Sequence, residues 1–373
     1  MSRFRALSAL ALSLIFAASA LAQQGPPEQP DTTIDAAVRK ETITTLLKRL
    51  NDAYVFPETA AKMAEAINAR VARGEYEQIT SAKQFAETLT AHLQEVSRDK
   101  HLRVRYSYEP IKPRGERREP TAEEKERYSA ELKRINYGFE RLERLPGNIG
   151  YMDLRGFTAA EFGKETVAAA FNFLANTDAL IVDLRKNGGG DPEMVQLICS
   201  YLFDATPVHL NSLYWREGNR TQEFWTLKDV PGKRYAGKEV YVLTSNYTFS
   251  GAEEFSYNLK NLKRATIVGE TTGGGAHPGG GNRLGEHFAA FIPTGRAINP
   301  ITKTNWEGTG VEPDVKVPAD QALHVAQLSL LRKTSEATKD EMFKGAINRR
   351  IALLQKELGD LQANTQVKAQ AKN

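Results

Sequence analysis

Apolar positions recur with a helical period from Ile34 to Val96. Ile43, Leu46, Leu47 and Leu50 form one stripe, Ala61, Met63, Ala64 and Ile67 a second, and Phe85, Leu89, Leu93 and Val96 a third. They predict three amphipathic helices in an N-terminal helical domain over residues 34–100. A short strand, Leu102 to Tyr106, follows. Residues 107–146 are charged and broken by Pro110, Pro113 and Pro120, with a helical run from Ala122 to Ile135. The segment 101–146 therefore reads as a junction strand and a charged surface excursion. From Gly147 the period changes. Strands at Ile149–Leu154, Ala179–Asp183, Glu239–Leu243 and Thr266–Gly269 alternate with helices at Phe162–Leu174, Met194–Leu202 and from Ser250 onward. That order predicts α/β layering with a mostly parallel sheet over 147–325. A Gly-rich loop, Gly273 to Gly281, precedes a hairpin-like pair of strands. In the tail, 326–373, Ile347, Ile351, Leu354, Leu358 and Leu361 are spaced 4-3-4-3. The stripe is too short for a coiled coil and is expected to pack back on the N-terminal helices.

Residues 1–22 have the form of a signal peptide: Arg3 and Arg5, an apolar run from Ala6 to Phe16, and the small-residue site Ala20-Leu21-Ala22. The Gln- and Pro-rich stretch 23–33 reads as a disordered leader. The expectation is export to a periplasm or the exterior, with no stable membrane insertion once the signal is removed. Charged residues make up 26% and hydrophobic ones 41%, as in an ordinary globular protein. Cys199 is the sole cysteine, so no intrachain disulfide forms, and it lies within an apolar helix as a core residue. The net charge of +4 is small and dispersed, which gives no case for nucleic acid. No Cys/His cluster has zinc spacing and no Gly-Lys-Ser/Thr follows a glycine-rich turn, so neither metal nor nucleotide cofactor is implied. Nothing in the sequence assigns an oligomeric state.

The candidate chemistry centres on Val242-Leu-Thr-Ser-Asn-Tyr-Thr-Phe-Ser250-Gly-Ala-Glu-Glu254, a strand, a small polar turn and a helix opening at Ser250. A hydroxyl at a helix N-terminus sits where unpaired N–H groups favour negative charge, as a nucleophile and its oxyanion require. The same letters spell a capping box, Ser250 with Glu253. On local context alone, His277 in the following glycine-rich loop is a candidate base.

The Ser250 stretch, Gly269-Glu-Thr-Thr-Gly-Gly274, Asp183-Leu-Arg-Lys-Asn-Gly-Gly189 and Gly310-Val-Glu-Pro-Asp314 occur in one order that resembles the C-terminal-processing/tricorn-core family of serine peptidases. Within it, the chain is similar to the branch related to interphotoreceptor retinoid-binding protein. The resemblance implies a crotonase-like ββα core, an acyl-enzyme mechanism on peptides or unfolded protein, and Ser250 as nucleophile. The family's lysine slot falls on Gly275, and residues 271–281 hold no lysine, so the resemblance favours a histidine base. His101, at the junction of helical domain and core, matches that position, and Glu307 matches the family's glutamate. His277 then becomes the alternative base. Lys100 stands where tricorn-like enzymes have a serine, which leaves Asp99 or Glu307 to orient His101. The N–H groups of Gly188 and Gly251 are the candidate oxyanion donors. Asp183 and Arg185 are expected to pair and hold the glycine turn. The region for a PDZ module is absent, since residues 107–146 are too few and too charged to form one. An imidazole base predicts activity that falls with acid around pKa ~6.5. A different reading is a non-catalytic binding protein for an apolar ligand, as in the retinoid-binding relatives.

Overall fold

In the computed structural model the described residues are 29–113 and 121–370, with side chains to 363. The expected signal segment lies outside them. Helices α1 (Ala36–Ala53), α2 (Pro57–Ala72) and α3 (Ala82–Ser97) begin where local chemistry starts them. Asp35 accepts the Val38 N–H, Pro57 occupies the first turn of α2, and Ser81 accepts the Gln84 N–H. Most of the predicted stripe positions face inward: Leu46, Leu50, Met63, Ile67, Phe85, Leu89 and Leu93 are fully buried, while Ala61 is exposed and Ala60 is buried instead. They pack on Val104, Phe288, Ala290 and Ile292 of an antiparallel sheet of three strands, β1 (Arg103–Tyr106), β10 (Phe288–Pro293) and β9 (Gly279–Arg283). α3 ends at Arg98 in the left-handed region (φ 57°), and the chain turns there into Asp99, Lys100 and His101.

The central sheet has six strands in the order β12 (Val315–Lys316), β8 (Thr266–Gly269), β7 (Glu239–Thr244), β4 (Ala179–Asp183), β3 (Ile149–Leu154), β2 (Phe139–Leu145). All neighbours are parallel except β2 and β3. Alternate residues face opposite layers. Leu180, Val182, Val240 and Val242 pack under α5 (Ala160–Leu174), α6 (Pro192–Leu202) and α7 (Gly251–Asn261), and Cys199 is buried among them. Ile181, Tyr241, Leu243 and Val268 face α8 (Ala322–Ala337) and α9 (Glu341–Gln370). A third sheet joins β11 (Gly295–Ile298), β5 (His209–Trp215) and β6 (Arg220–Trp225).

Three expectations change. The described end of the expected disordered leader is tied to the fold: Thr33 pairs with Ser81, Thr32 O accepts the Ala82 N–H and Asp31 accepts the Lys83 N–H. The tail does not return to the N-terminal helices: Ile347 and Leu354 are buried against the second face of the central sheet and α8. That face carries aromatic and aliphatic side chains that need a cover, and α9 completes it. The supposed surface excursion also ends early. After α4 (Ala122–Arg134), Phe139–Leu145 is the antiparallel edge strand, burying Phe139 and Leu145 and exposing Glu140, Arg141 and Arg144. Charged side chains on an edge strand protect it from further pairing, which is why it reads as a solvated run.

Candidate active site

β4 and β7 are parallel neighbours, and the turns beyond their C-terminal ends meet. The turn after β4 is built by Asp183, which holds Arg185 through bonds to Nε and Nη2 at 2.9 and 2.6 Å and also accepts the Arg185 N–H. The expected pair is formed. Asn187, fully buried, donates to Leu154 O, accepts the Gly189 N–H and offers its own carbonyl to Phe249 N–H. Gly189 lies at φ +102°, and a Cβ there would come within 2.7 Å of Ser250 Cβ and 2.6 Å of Gly251 N. Only glycine permits so close an approach. The amides of Gly188 and Gly251 are in no hydrogen bond among the described residues. Two free donors thus flank the serine.

Ser250 precedes α7 with φ 53° and ψ −121°, outside the regions ordinary residues favour. Glu253 holds it there. Its Oε2 accepts the Ser250 N–H at 2.9 Å, the carboxylate half of the expected capping box. The same carboxylate also accepts Thr272 Oγ1 at 2.5 Å, Gly274 N–H at 2.6 Å and Gly275 N–H at 2.8 Å. Glu253 is fully buried, and burial pushes its pKa up while these donors pull it down. Glu253 therefore ties the serine to the glycine-rich loop, a role that its position in a common capping motif hides in the sequence.

His101 lines one cavity with Ser250, Gly188 and Phe249, about 770 Å³ in volume. Its ring lies between Phe249 (centroids 4.6 Å) and Phe291 (5.7 Å). The adjoining Lys100 is exposed and donates its Nζ to Gly273 O at 2.6 Å. Burial pulls the imidazole down to about 4; nearby Asp99 opposes this, and His277 and Arg103 add to it. Its Nδ1 is buried without a partner, and no hydrogen bond joins the ring to the Ser250 hydroxyl in this state.

Glu307 is not brought to His101. It faces His277, whose Nδ1 lies 3.4 Å from Glu307 Oε2 and 2.8 Å from Asp99 Oδ2. Asp99 is fully buried, accepts Tyr54 Oη at 3.1 Å, and accepts the His101 N–H at 3.0 Å. Glu307 also takes the Ala276 N–H at 2.5 Å, and burial beside Asp99 pushes it up to about 7. His277 does not line the cavity that holds Ser250. The positions expected to form one unit thus separate into Ser250 with His101 in the cavity, and Asp99, His277 and Glu307 behind it. Asp99 is the link between them, gripping the backbone of His101 and the ring of His277. The latter three side chains have the donor types of a metal site, with ligand atoms within 4.8 Å of one another. The 2.8 Å contact is a hydrogen bond, and it satisfies Asp99 and His277 mutually without an ion.

Comparison with known proteins places the chain in a family. Residues 148–317 match the model of peptidase family S41, and residues 35–138 match the N-terminal domain of that family in eukaryotic IRBP. The chain belongs to peptidase family S41. Its members include a tail-specific protease of Haemophilus influenzae, 34% identical over 98 residues, which are 26% of this chain and 13% of that protein. Over 136 residues, 36% of this chain and 12% of the relative, it is 32% identical to the tricorn protease of Thermoplasma volcanium. The matched regions are thus a small part of these relatives' lengths. A crystal structure of a candidate peptidase from Parabacteroides merdae shares the fold with a TM-score of 0.57 and 18% identity, covering 81% of this chain and 99% of that one. The S41 family is one of serine-type hydrolases, and no PDZ module is evident among the described residues.

Proposed function

We propose that this S41 protein is an exported serine peptidase that cleaves peptides or unfolded protein through an acyl-enzyme. The observation that carries the reading is Ser250, held at positive φ before α7, sharing one cavity with His101 and flanked by two free amides. Ser250 Oγ attacks the scissile carbonyl while His101, neutral because it is buried, takes the proton. The N–H groups of Gly188 and Gly251 receive the negative charge that develops on the carbonyl oxygen. His101 then returns the proton to the leaving amine, and water repeats the sequence on the acyl-enzyme. Asp99 orients His101 through the backbone, and Glu307 with His277 supports Asp99. Lys100 is a weaker candidate base, because its ammonium is exposed and committed to Gly273 O. A carrier of apolar ligands has no use for a serine held in an unfavourable conformation beside free amides.

Export rests on residues 1–22 alone; no described helix is long and apolar enough to cross a membrane. A fluorophosphonate probe should label the wild type once per chain and leave Ser250→Ala unlabelled. Labelling that survives Ser250→Ala would refute the nucleophile. Turnover that survives His101→Ala but is lost in Lys100→Ala would refute the base.

A further inference from the structure

The cavity around Ser250 is electrostatically one-sided. Lys100, Arg103 and Arg105 line it together with Ser250 and His101, and no aspartate or glutamate does. Strand β1 explains the arrangement. Its alternation buries Val104 among the helices and turns Arg103 and Arg105 to the opposite side, toward the cavity. Of the three cations Lys100 is committed to Gly273 O. Arg103 donates its Nε to Lys100 O and lies over Phe249, 5.8 Å from the ring centroid, leaving its terminal nitrogens free. Arg105 has neither hydrogen bond nor ion pair among the described residues. Two guanidinium forks thus point into a cavity whose other walls include Leu213, Trp215, Phe249 and Phe291.

Resting on the peptidase reading above, we infer that Arg103 and Arg105 bind a carboxylate of the substrate peptide and set its specificity. A guanidinium fork matches a carboxylate in two parallel hydrogen bonds, and apolar walls strengthen them by limiting hydration. The two arginines stand two residues apart on one face of β1, about 7 Å along the strand. The carboxylate they bind lies beside the scissile bond in the same cavity. It is supplied either by an acidic side chain or by the peptide's own C-terminus.

The test separates these sources and does not depend on turnover. N-acetylated hexapeptides of alternating alanine and leucine are titrated calorimetrically into the full chain carrying Ser250→Ala. One ends in a free carboxylate, one in an amide, and one in an amide with a single glutamate. An anionic form should bind about tenfold or more tighter than the neutral amide, and the gap should narrow as salt is raised. Tighter binding of the free acid identifies the C-terminus, and tighter binding of the glutamate peptide a side chain. Adding Arg103→Gln and Arg105→Gln should abolish the preference, and Arg105→Glu should turn it toward a lysine peptide. Equal binding of all three peptides, or a preference that persists in the double variant, overturns the inference. Fluorophosphonate labelling of the wild type reports separately on the peptidase reading, so failure of one is distinguishable from failure of the other.

Discussion

His101 is the residue on which pH dependence turns. An unperturbed imidazole would lose basicity below ~6.5, but burial between Phe249 and Phe291 holds this one near 4. We expect kcat/KM for a neutral ester to stay level from pH 8 to about 5 and to fall only near 4; a midpoint at 6.5 would show a solvated ring. The same depression enters stability. The contribution is fully present above the unfolded value of 6.5 and is lost as pH falls toward 4, about 3 kcal/mol by linkage. Glu307 has the opposite sign. With its folded pKa raised from 4.5 to about 7, its contribution is present below 4.5 and lost as pH rises through 7. Glu307→Gln should therefore gain thermal stability relative to wild type as pH climbs from 5 to 8. A constant difference across that range would contradict the assignment. Ser250 stands out from its own strand-turn-helix segment, whereas His101 is reached only through the family resemblance, since local context points to His277. The pairing of Asp99 with His277 was not legible, because these residues lie 178 positions apart and nothing local announces them.

Among the elements, the loop from Thr272 to His277 fixes the site's geometry. Glu253, Trp306 and Lys100 hold its backbone: Trp306 Nε1 donates to Gly275 O at 2.6 Å. A Cβ on Gly275 would stand 2.3 Å from Phe249 Cζ and 2.7 Å from His101 Cε1. Gly275→Ala should thus displace both rings and lower turnover about tenfold or more, at an overpacking cost of roughly 1–3 kcal/mol. Gly280→Ala is the control, because nothing lies within 4 Å of a Cβ there. Comparable turnover in the two variants would show that the ring positions are not critical. Strand and helix alternation made the central sheet readable, since β4 is almost wholly apolar and β7 carries the run Val240 to Leu243. The hairpin of β5 and β6 went unread: five of the six residues of β6 are exposed, which leaves no two-residue rhythm.

At the scale of the molecule, the site lies where two layers meet. His101 comes from the junction after the helices over β1, β10 and β9, and Ser250 from the central sheet's own crossover. The tail braces the far face of that sheet. Its 4-3-4-3 stripe was legible, but its partner was not, because an apolar stripe fits any apolar surface of matching width. The observed packing makes a sharp contrast between adjacent residues. Leu354 is 1% exposed against the sheet and α8, while Leu353 is 55% exposed. Leu354→Ala should cost about 2–5 kcal/mol, the transfer free energy of the side chain plus the cavity left behind. Leu353→Ala should stay within about 0.5 kcal/mol. Denaturant unfolding gives both numbers, and hydrogen exchange gives the location. In Leu354→Ala, protection should fall first in the strands carrying Ile181 and Tyr241, which share its cluster. Protection in α1, α2 and α3 should hold, because their core is built from a separate set of side chains. If protection fell in those helices instead, the tail would be packed on the N-terminal layer, and the brace would belong to the other side of the site.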